Sequence, residues 1–134
     1  MAHGILHATP IFRVENLRAS IEYYTTVLGF QHDWGGPETF ASVSRERCTL
    51  FLCERDQGHA GTWVWVGVPD ADALETEFRA RGARIRQGAT NFPWAYEIQV
   101  EDPDGNVLRF GSEPKDAPFG SFMDMNGKLW PPAA

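Results

Sequence analysis

"TWVWVGVPDADALETEFRARGARIRQG", residues 62–88, is a second beginning. Thr62 to Val68 is a run of β-branched and aromatic residues and reads as a strand. Asp70 stands where a helix N-cap is needed. A helix is predicted over 71–81, with Leu74 and Phe78 on its buried stripe. Gly82 ends it, and "ARIRQG" returns to extended chain. The same succession opens the sequence. "ATPIFRV" (8–14) reads as a strand, Asn16 as a cap, and 17–28 as a helix with Leu17, Ile21, Tyr24 and Leu28 on one stripe. Gly29 ends that helix. Val14 and Val68 match at an offset of 54, and Gly29 and Gly82 at 53. Such self-similarity outweighs any local reading in deciding a fold.

Each half continues in strands. "FQHDW", "TFASVS" and "CTLFLCE" follow the first helix, with "GGPE" (35–38) and "RER" (45–47) as turns. "AYEIQVE" and "NVLRFG" follow the second and flank a "DPDG" turn (102–105) as a hairpin. The fold class is therefore α+β: two βαβββ modules, at about 8–55 and 62–112, within a domain spanning 1–112. One helix can cover only one face of each sheet. The other faces are expected to form a trough.

The remainder, 113–134, is rich in Pro and Gly. It nevertheless carries Phe119, Phe122, Met123, Met125, Leu129 and Trp130. A disordered tail has fewer large apolar groups. It reads as an extension that packs on the domain or on a partner subunit, and the chain as a homodimer.

A chain of 134 residues is one domain with room for a sizeable core. The net charge of −6 argues against nucleic acid or an anionic membrane as partner. No apolar run approaches a membrane span and no secretory leader is visible, so a cytoplasmic location is expected. Cys48 and Cys53 lie an odd number of residues apart on one strand, on opposite faces, and are expected to be reduced. The four histidines are scattered, and neither a Gly-rich phosphate loop nor a nucleophile triad is present.

Strand parity places the side chains that matter. Leu108 and Phe110 face the helix, so Arg109 faces the trough. Ile98 and Val100 face the helix, leaving Glu97 and Gln99 to the trough. Val64, Val66 and Val68 do the same for Trp63 and Trp65. Leu50 and Leu52 leave Thr49, Phe51 and Cys53. The loops and strand edges add Trp34, Phe40, Phe92 and Trp94. An aromatic trough with one cation and one carboxylate suits a small molecule with a flat, bulky body. The plainer alternatives are that Arg109 pairs with Glu97 to tie two strands, and that the tryptophans are covered by a subunit or by the extension.

The doubled unit, with "FRVENLRASIEYYTTVLGF" (12–30) and "VEDPDGNVLRF" (100–110), resembles the vicinal oxygen chelate superfamily, which includes glyoxalases, extradiol dioxygenases and bleomycin-resistance proteins. The resemblance covers about 8–112. It implies paired βαβββ modules around a cupped site, often in a dimer. Family enzymes hold a divalent metal there through His, Gln and Glu. Carried over, the four ligand places fall on Thr9, Phe51, Trp63 and Arg109; a shift of two residues would bring His7 to the first. Thr, Phe, Trp and Arg do not make a metal site. Bleomycin-resistance proteins share this departure, with an Arg after the "DPDG" turn and a Trp a few residues before the strand pair that flanks it, as at Trp94.

The expectation is thus a metal-independent binding protein that sequesters a bulky, even cationic, antibiotic-like ligand. No cofactor, metal or catalytic residue is expected. The candidate ligand-binding residues are Trp63, Trp65, Phe51, Arg109, Glu97, Gln99, Trp94, Trp34, Phe40 and Cys53. The alternatives are a glyoxalase- or dioxygenase-like metalloenzyme with atypical ligands, a metal-free isomerase with Glu97 as base, or a ligand-gated accessory subunit.

Overall fold

A computed structural model describes residues 4–130. The chain divides into two compact units, one running up to Thr62 together with Asp102–Asn106, the other comprising Trp63–Glu101 and the chain from Val107 on.

In the first unit, β1 (Ile11–Val14) leads into α1 (Leu17–Glu22), which widens into a π-helical segment, Tyr23–Val27. Asn16 caps α1 in extended conformation, its side chain accepting from Ala19 N at 3.0 Å. Gly29, at φ 75°, supplies the left-handed residue that ends the helical segment. Three strands follow: β2 (Gln31–Gly35), β3 (Phe40–Arg45) and β4 (Cys48–Glu54). The sheet order is β1-β4-β3-β2, with β1 parallel to β4 and the other pairs antiparallel. Phe12, Val14, Leu17, Tyr24, Leu50 and Leu52 form its core, each at most 1% exposed.

The second unit repeats the plan. β5 (Trp63–Gly67), α2 (Ala71–Ala80), β6 (Arg84–Asn91), β7 (Tyr96–Glu101) and β8 (Val107–Ser112) give the order β5-β8-β7-β6. Asp70 caps α2, accepting from Ala73 N at 3.0 Å. Phe78 of α2 packs on Phe110, ring centroids 5.3 Å apart, over Ile98, Val100 and Leu108. The two βαβββ modules expected from the sequence are the architecture observed.

The "DPDG" turn has a structural task of its own. Asp102 is fully buried. Its Oδ1 accepts from Asp104 N and Asn106 N, and its Oδ2 from Asn106 Nδ2 and the Tyr24 hydroxyl, at 2.8–3.0 Å. Asn106 in turn donates to Arg13 O and accepts from Thr62 N. Burial nevertheless pushes the Asp102 carboxyl above its usual range. Burial, and then the Asp102 charge, push the Tyr24 hydroxyl well above its own.

The chain after β8 does not leave the second unit. It runs back along β6, held by side chain to backbone bonds. Asn91 Nδ2 donates to Lys115 O, and Asn91 Oδ1 accepts from Lys115 N. Gln87 donates to Ser121 O, and Arg86 to Met123 O. Gly120 is required for this approach, since a Cβ there would lie 2.4 Å from Thr90 Cγ2. The segment ends in a small hairpin, β9 (Phe122–Met123) with β10 (Leu129–Trp130). Positions 131–134 of the extension lie outside the described residues.

Candidate functional site

The site is built on the face of the second sheet turned away from α2. Register aligns Trp65 with Arg109 and Arg109 with Gln99 across three strands. On this face Glu97 stands opposite Gly111, and Gly111 opposite Gly67. Those two glycines leave room for the Trp65 indole to lie flat across the strands. A Cβ at residue 111 would sit 2.7 Å from Trp65 Cζ2, and one at 67 would sit 3.3 Å from Trp65 Cζ3. So placed, Trp65 Nε1 donates to Glu97 Oε2 at 2.9 Å. The other carboxylate oxygen, Oε1, accepts from Arg109 Nε at 2.8 Å and Nη2 at 2.6 Å. Glu97 is left with no exposed side-chain surface, whereas the Arg109 side chain keeps 20%. The carboxylate is consumed by these three bonds, so the ion pair ties β7 to β8 as well as shaping the site.

A cavity of about 870 Å³ opens above this triad. Trp63, Trp65, Trp94 and Arg109 line it from the sheet side. The C-terminal hairpin supplies the remaining wall: Phe122, Asp124, Met125, Asn126 and Trp130. Phe122, 8% exposed, packs on Trp63 and Phe92 and lies under the Arg109 guanidinium, 4.9 Å from its ring centroid. Phe92 is core rather than surface, and its ring stacks on Trp94 at 5.0 Å and 3°. Asp124 caps the hairpin turn. Its carboxyl is held below the usual range, first by the backbone N–H of Lys128 and then by the Trp130 indole. A smaller hollow of about 390 Å³ adjoins Trp65 and Trp94 and is bordered by Gly111 and Glu113.

Not every expected residue lines this cavity. Glu97 and Gln99 lie on the predicted face but are buried beneath it, each 1% exposed. Trp65 and Arg109 cover Glu97, and Arg86 Nη1 donates to Gln99 Oε1. Trp34, Phe40, Phe51 and Cys53 belong to the first unit, where Trp34, Phe40 and Phe51 form a mutual cluster with centroids 5.3–6.0 Å apart. Cys53 is 5% exposed, and burial pushes its thiol up, as it does for Cys48; both cysteines are free. An unforeseen participant is Arg86, whose guanidinium stacks over Trp63 at 4.8 Å. The wall supplied by residues 122–130 also went unassigned, although its large apolar side chains were the visible signal.

The carried-over metal places offer a hydroxyl at Thr9, a phenyl at Phe51, an indole at Trp63 and a guanidinium at Arg109. None is an imidazole, thiolate or carboxylate donor, and Arg109 is already bound to Glu97. The family's metal therefore does not fit these residues. Among the described residues, no three His, Cys, Asp or Glu side chains are grouped closely enough to hold a metal ion.

Comparison with known proteins fits this geometry. The profile of the Glyoxalase/Bleomycin resistance protein/Dioxygenase superfamily matches residues 4–110. The chain belongs to that superfamily. Among solved structures, the bleomycin-binding protein of bleomycin-producing Streptomyces verticillus, complexed with copper(II)-bleomycin, is similar at 25% identity and a TM-score of 0.70, over 84% of this chain and 98% of that one. TnmS3, an antibiotic binding protein from Streptomyces sp. CB03234, is similar at 21% identity and TM-score 0.67, over 84% and 100% of the respective chains. Lactoylglutathione lyase from Agrobacterium tumefaciens is similar at 17% and 0.69, over 82% and 95%. The last two likenesses bear on the fold alone. No match was found among curated protein sequences. Among the described residues, no helix is long and apolar enough to cross a membrane.

Proposed function

We propose that this member of the superfamily is a metal-independent binding protein that sequesters a bulky, flat small molecule in the cavity of its second unit. One observation carries the reading: a cavity of about 870 Å³, walled by four tryptophans, whose family metal position is filled by an arginine locked to a buried carboxylate. Volumes of this order hold drug-sized ligands. Indole faces bind flat rings without demanding one substituent pattern. The similarity to a bleomycin-binding protein supports the same class of ligand. Glu97 is a poor general base, because both its oxygens accept hydrogen bonds from Trp65 and Arg109.

A homodimer belongs to this reading, supported by side chains such as Ile5 and Leu6 that are more than 90% exposed. The two free cysteines suit a reducing compartment such as the cytoplasm. The test is a titration of tryptophan fluorescence with a panel of planar antibiotics, with and without a chelator, beside metal analysis of the purified protein. Saturable quenching that ignores the chelator is expected. A stoichiometric transition metal in the cavity, or turnover of a bound compound, would replace this reading with an enzymatic one. Sedimentation velocity tests the dimer.

A further inference from the structure

On the sheet side of the cavity, the polar groups left without a partner among the described residues are donors. Arg109 donates to Glu97 through Nε and Nη2. Among the described residues no hydrogen bond uses Nη1, which a planar guanidinium carries on the edge turned away from that carboxylate. Within the second unit, the buried side-chain nitrogens without a partner among the described residues are Trp63 Nε1 and Gln99 Nε2. Both are donors. The Gln99 assignment is fixed by its neighbour: Arg86 can only donate, so Oε1 must face Arg86 and the amide NH2 must point elsewhere. Trp63 and Arg109 line the cavity, and Gln99 is the register neighbour of Arg109. A buried donor without an acceptor is costly and calls for an explanation.

The carboxylates nearby are, by contrast, engaged, while the Asn126 side-chain amide on the hairpin wall can donate or accept. Glu97 receives three bonds. Asp124 receives Asn126 N, Lys128 N and Trp130 Nε1. Glu113 borders the smaller hollow and not this cavity. A cationic ligand was expected from the net charge of −6 and from the aromatic cluster beside Glu97, on which a flat cation could stack. Glu97 is buried and paired, so that carboxylate offers a cation no partner from the sheet.

We infer that the ligand of this cavity carries an acceptor oxygen on its ring system, such as a carbonyl, phenolate, carboxylate or sulfonate, and that this oxygen meets the unused edge of Arg109. The ligand is neutral or anionic at that position. The inference rests on the binding function proposed above and specifies its chemistry. The chain's net charge of −6 works against it at long range, which sharpens the test.

The test uses three probes that share one ring: 1-pyrenesulfonate, 1-methylpyrene and 1-pyrenemethylammonium, titrated into the full chain at physiological salt. The sulfonate should bind about tenfold tighter than the methyl compound, the order of one charge-assisted hydrogen bond. The ammonium should bind no better than the methyl compound. Equal affinity for all three, or the ammonium tightest, overturns the inference and leaves the binding function standing. No binding of any probe overturns both. In the double variant Glu97→Gln/Arg109→Met, which removes the pair together, the ratio of sulfonate to methylpyrene affinity should fall to within about twofold, whatever the change in the two affinities themselves. A preference that survives in the folded double variant places the acceptor elsewhere and overturns the inference.

Discussion

Replacing Glu97 by glutamine isolates what the buried pair contributes. The carboxylate takes three hydrogen bonds, two from Arg109 on one oxygen and one from Trp65 on the other. Glutamine offers one oxygen and one NH2. If its oxygen turns to Arg109, the NH2 meets the Trp65 N–H, donor against donor; turned the other way, it meets the guanidinium. The loss is therefore one set of charge-assisted bonds, about 1.5–3 kcal/mol, plus one donor left without an acceptor, about 1–3 kcal/mol. Breaking a buried pair by removing one partner costs about 3–5 kcal/mol. Arg109 keeps a fifth of its side-chain surface in contact with solvent, so the charge left behind is partly hydrated and about 3 kcal/mol is expected. At roughly 3–4 °C per kcal/mol for a chain of this size, Tm should fall by about 10 °C. The converse variant, Arg109→Met, strands a carboxylate that has no exposed side-chain surface and should cost more, about 4–5 kcal/mol. The double variant removes both charges and should lose less than either single one. Urea unfolding followed by circular dichroism measures all three, and the cycle gives the coupling energy. A Glu97→Gln loss below about 1 kcal/mol, or a double variant that merely sums the singles, would refute the reasoning.

Gly111→Ala places a Cβ against the Trp65 ring; we expect a loss of about 1–3 kcal/mol, a shifted tryptophan emission and weaker ligand binding, and an unchanged emission spectrum would contradict it. Phe122→Ala removes a side chain that is 8% exposed and floors both the cavity and the Arg109 guanidinium; the expected loss is about 3 kcal/mol in urea unfolding, with a weakened fluorescence titration. The folded state holds the Tyr24 proton more tightly than the unfolded chain does, so its contribution is complete below the unfolded value of 10.0 and is lost as pH rises toward the folded value. Wild-type stability should then drop above pH 10.0 by about 1.4 kcal/mol per pH unit more steeply than in Tyr24→Phe, and equal slopes in urea titrations at pH 9–11 would count against the assignment.

The fold was legible because duplication writes the same signals twice. Asn16 and Asp70 were readable as caps, and Gly29 and Gly82 as stops, because each role demands a particular chemistry. The π-helical segment after α1 was not readable. It depends on bonds such as Leu28 N to Tyr23 O, which leave no trace in apolar spacing. β6 proved longer than predicted, running to Asn91, because register shifts at Gln87 break the alternation that would have marked it. The placement of the C-terminal segment was hidden for a different reason. Asn91, Gln87 and Arg86 hold it through bonds to backbone atoms, and nothing in those polar residues announces such a use.

At the site, parity found the right face, and the side-chain packing on it decided what is exposed. Arg109, Trp63 and Trp65 were predicted on the face turned from the helix, and they line the cavity. Glu97 shares that face, yet it is unavailable to a ligand. The cause is a residue with no side chain: Gly111 lets an indole lie where any other residue would lift it away. Without that indole, Glu97 Oε2 would lack its donor and would open toward the cavity as a negatively charged acceptor. With it, both carboxylate oxygens are engaged, and on the sheet side the donors without a partner among the described residues are Arg109 Nη1 and the buried nitrogens of Trp63 and Gln99. A glycine two residues beyond the arginine thus decides whether Glu97 is covered, and with it covered the charged group that the sheet itself presents to the cavity is Arg109.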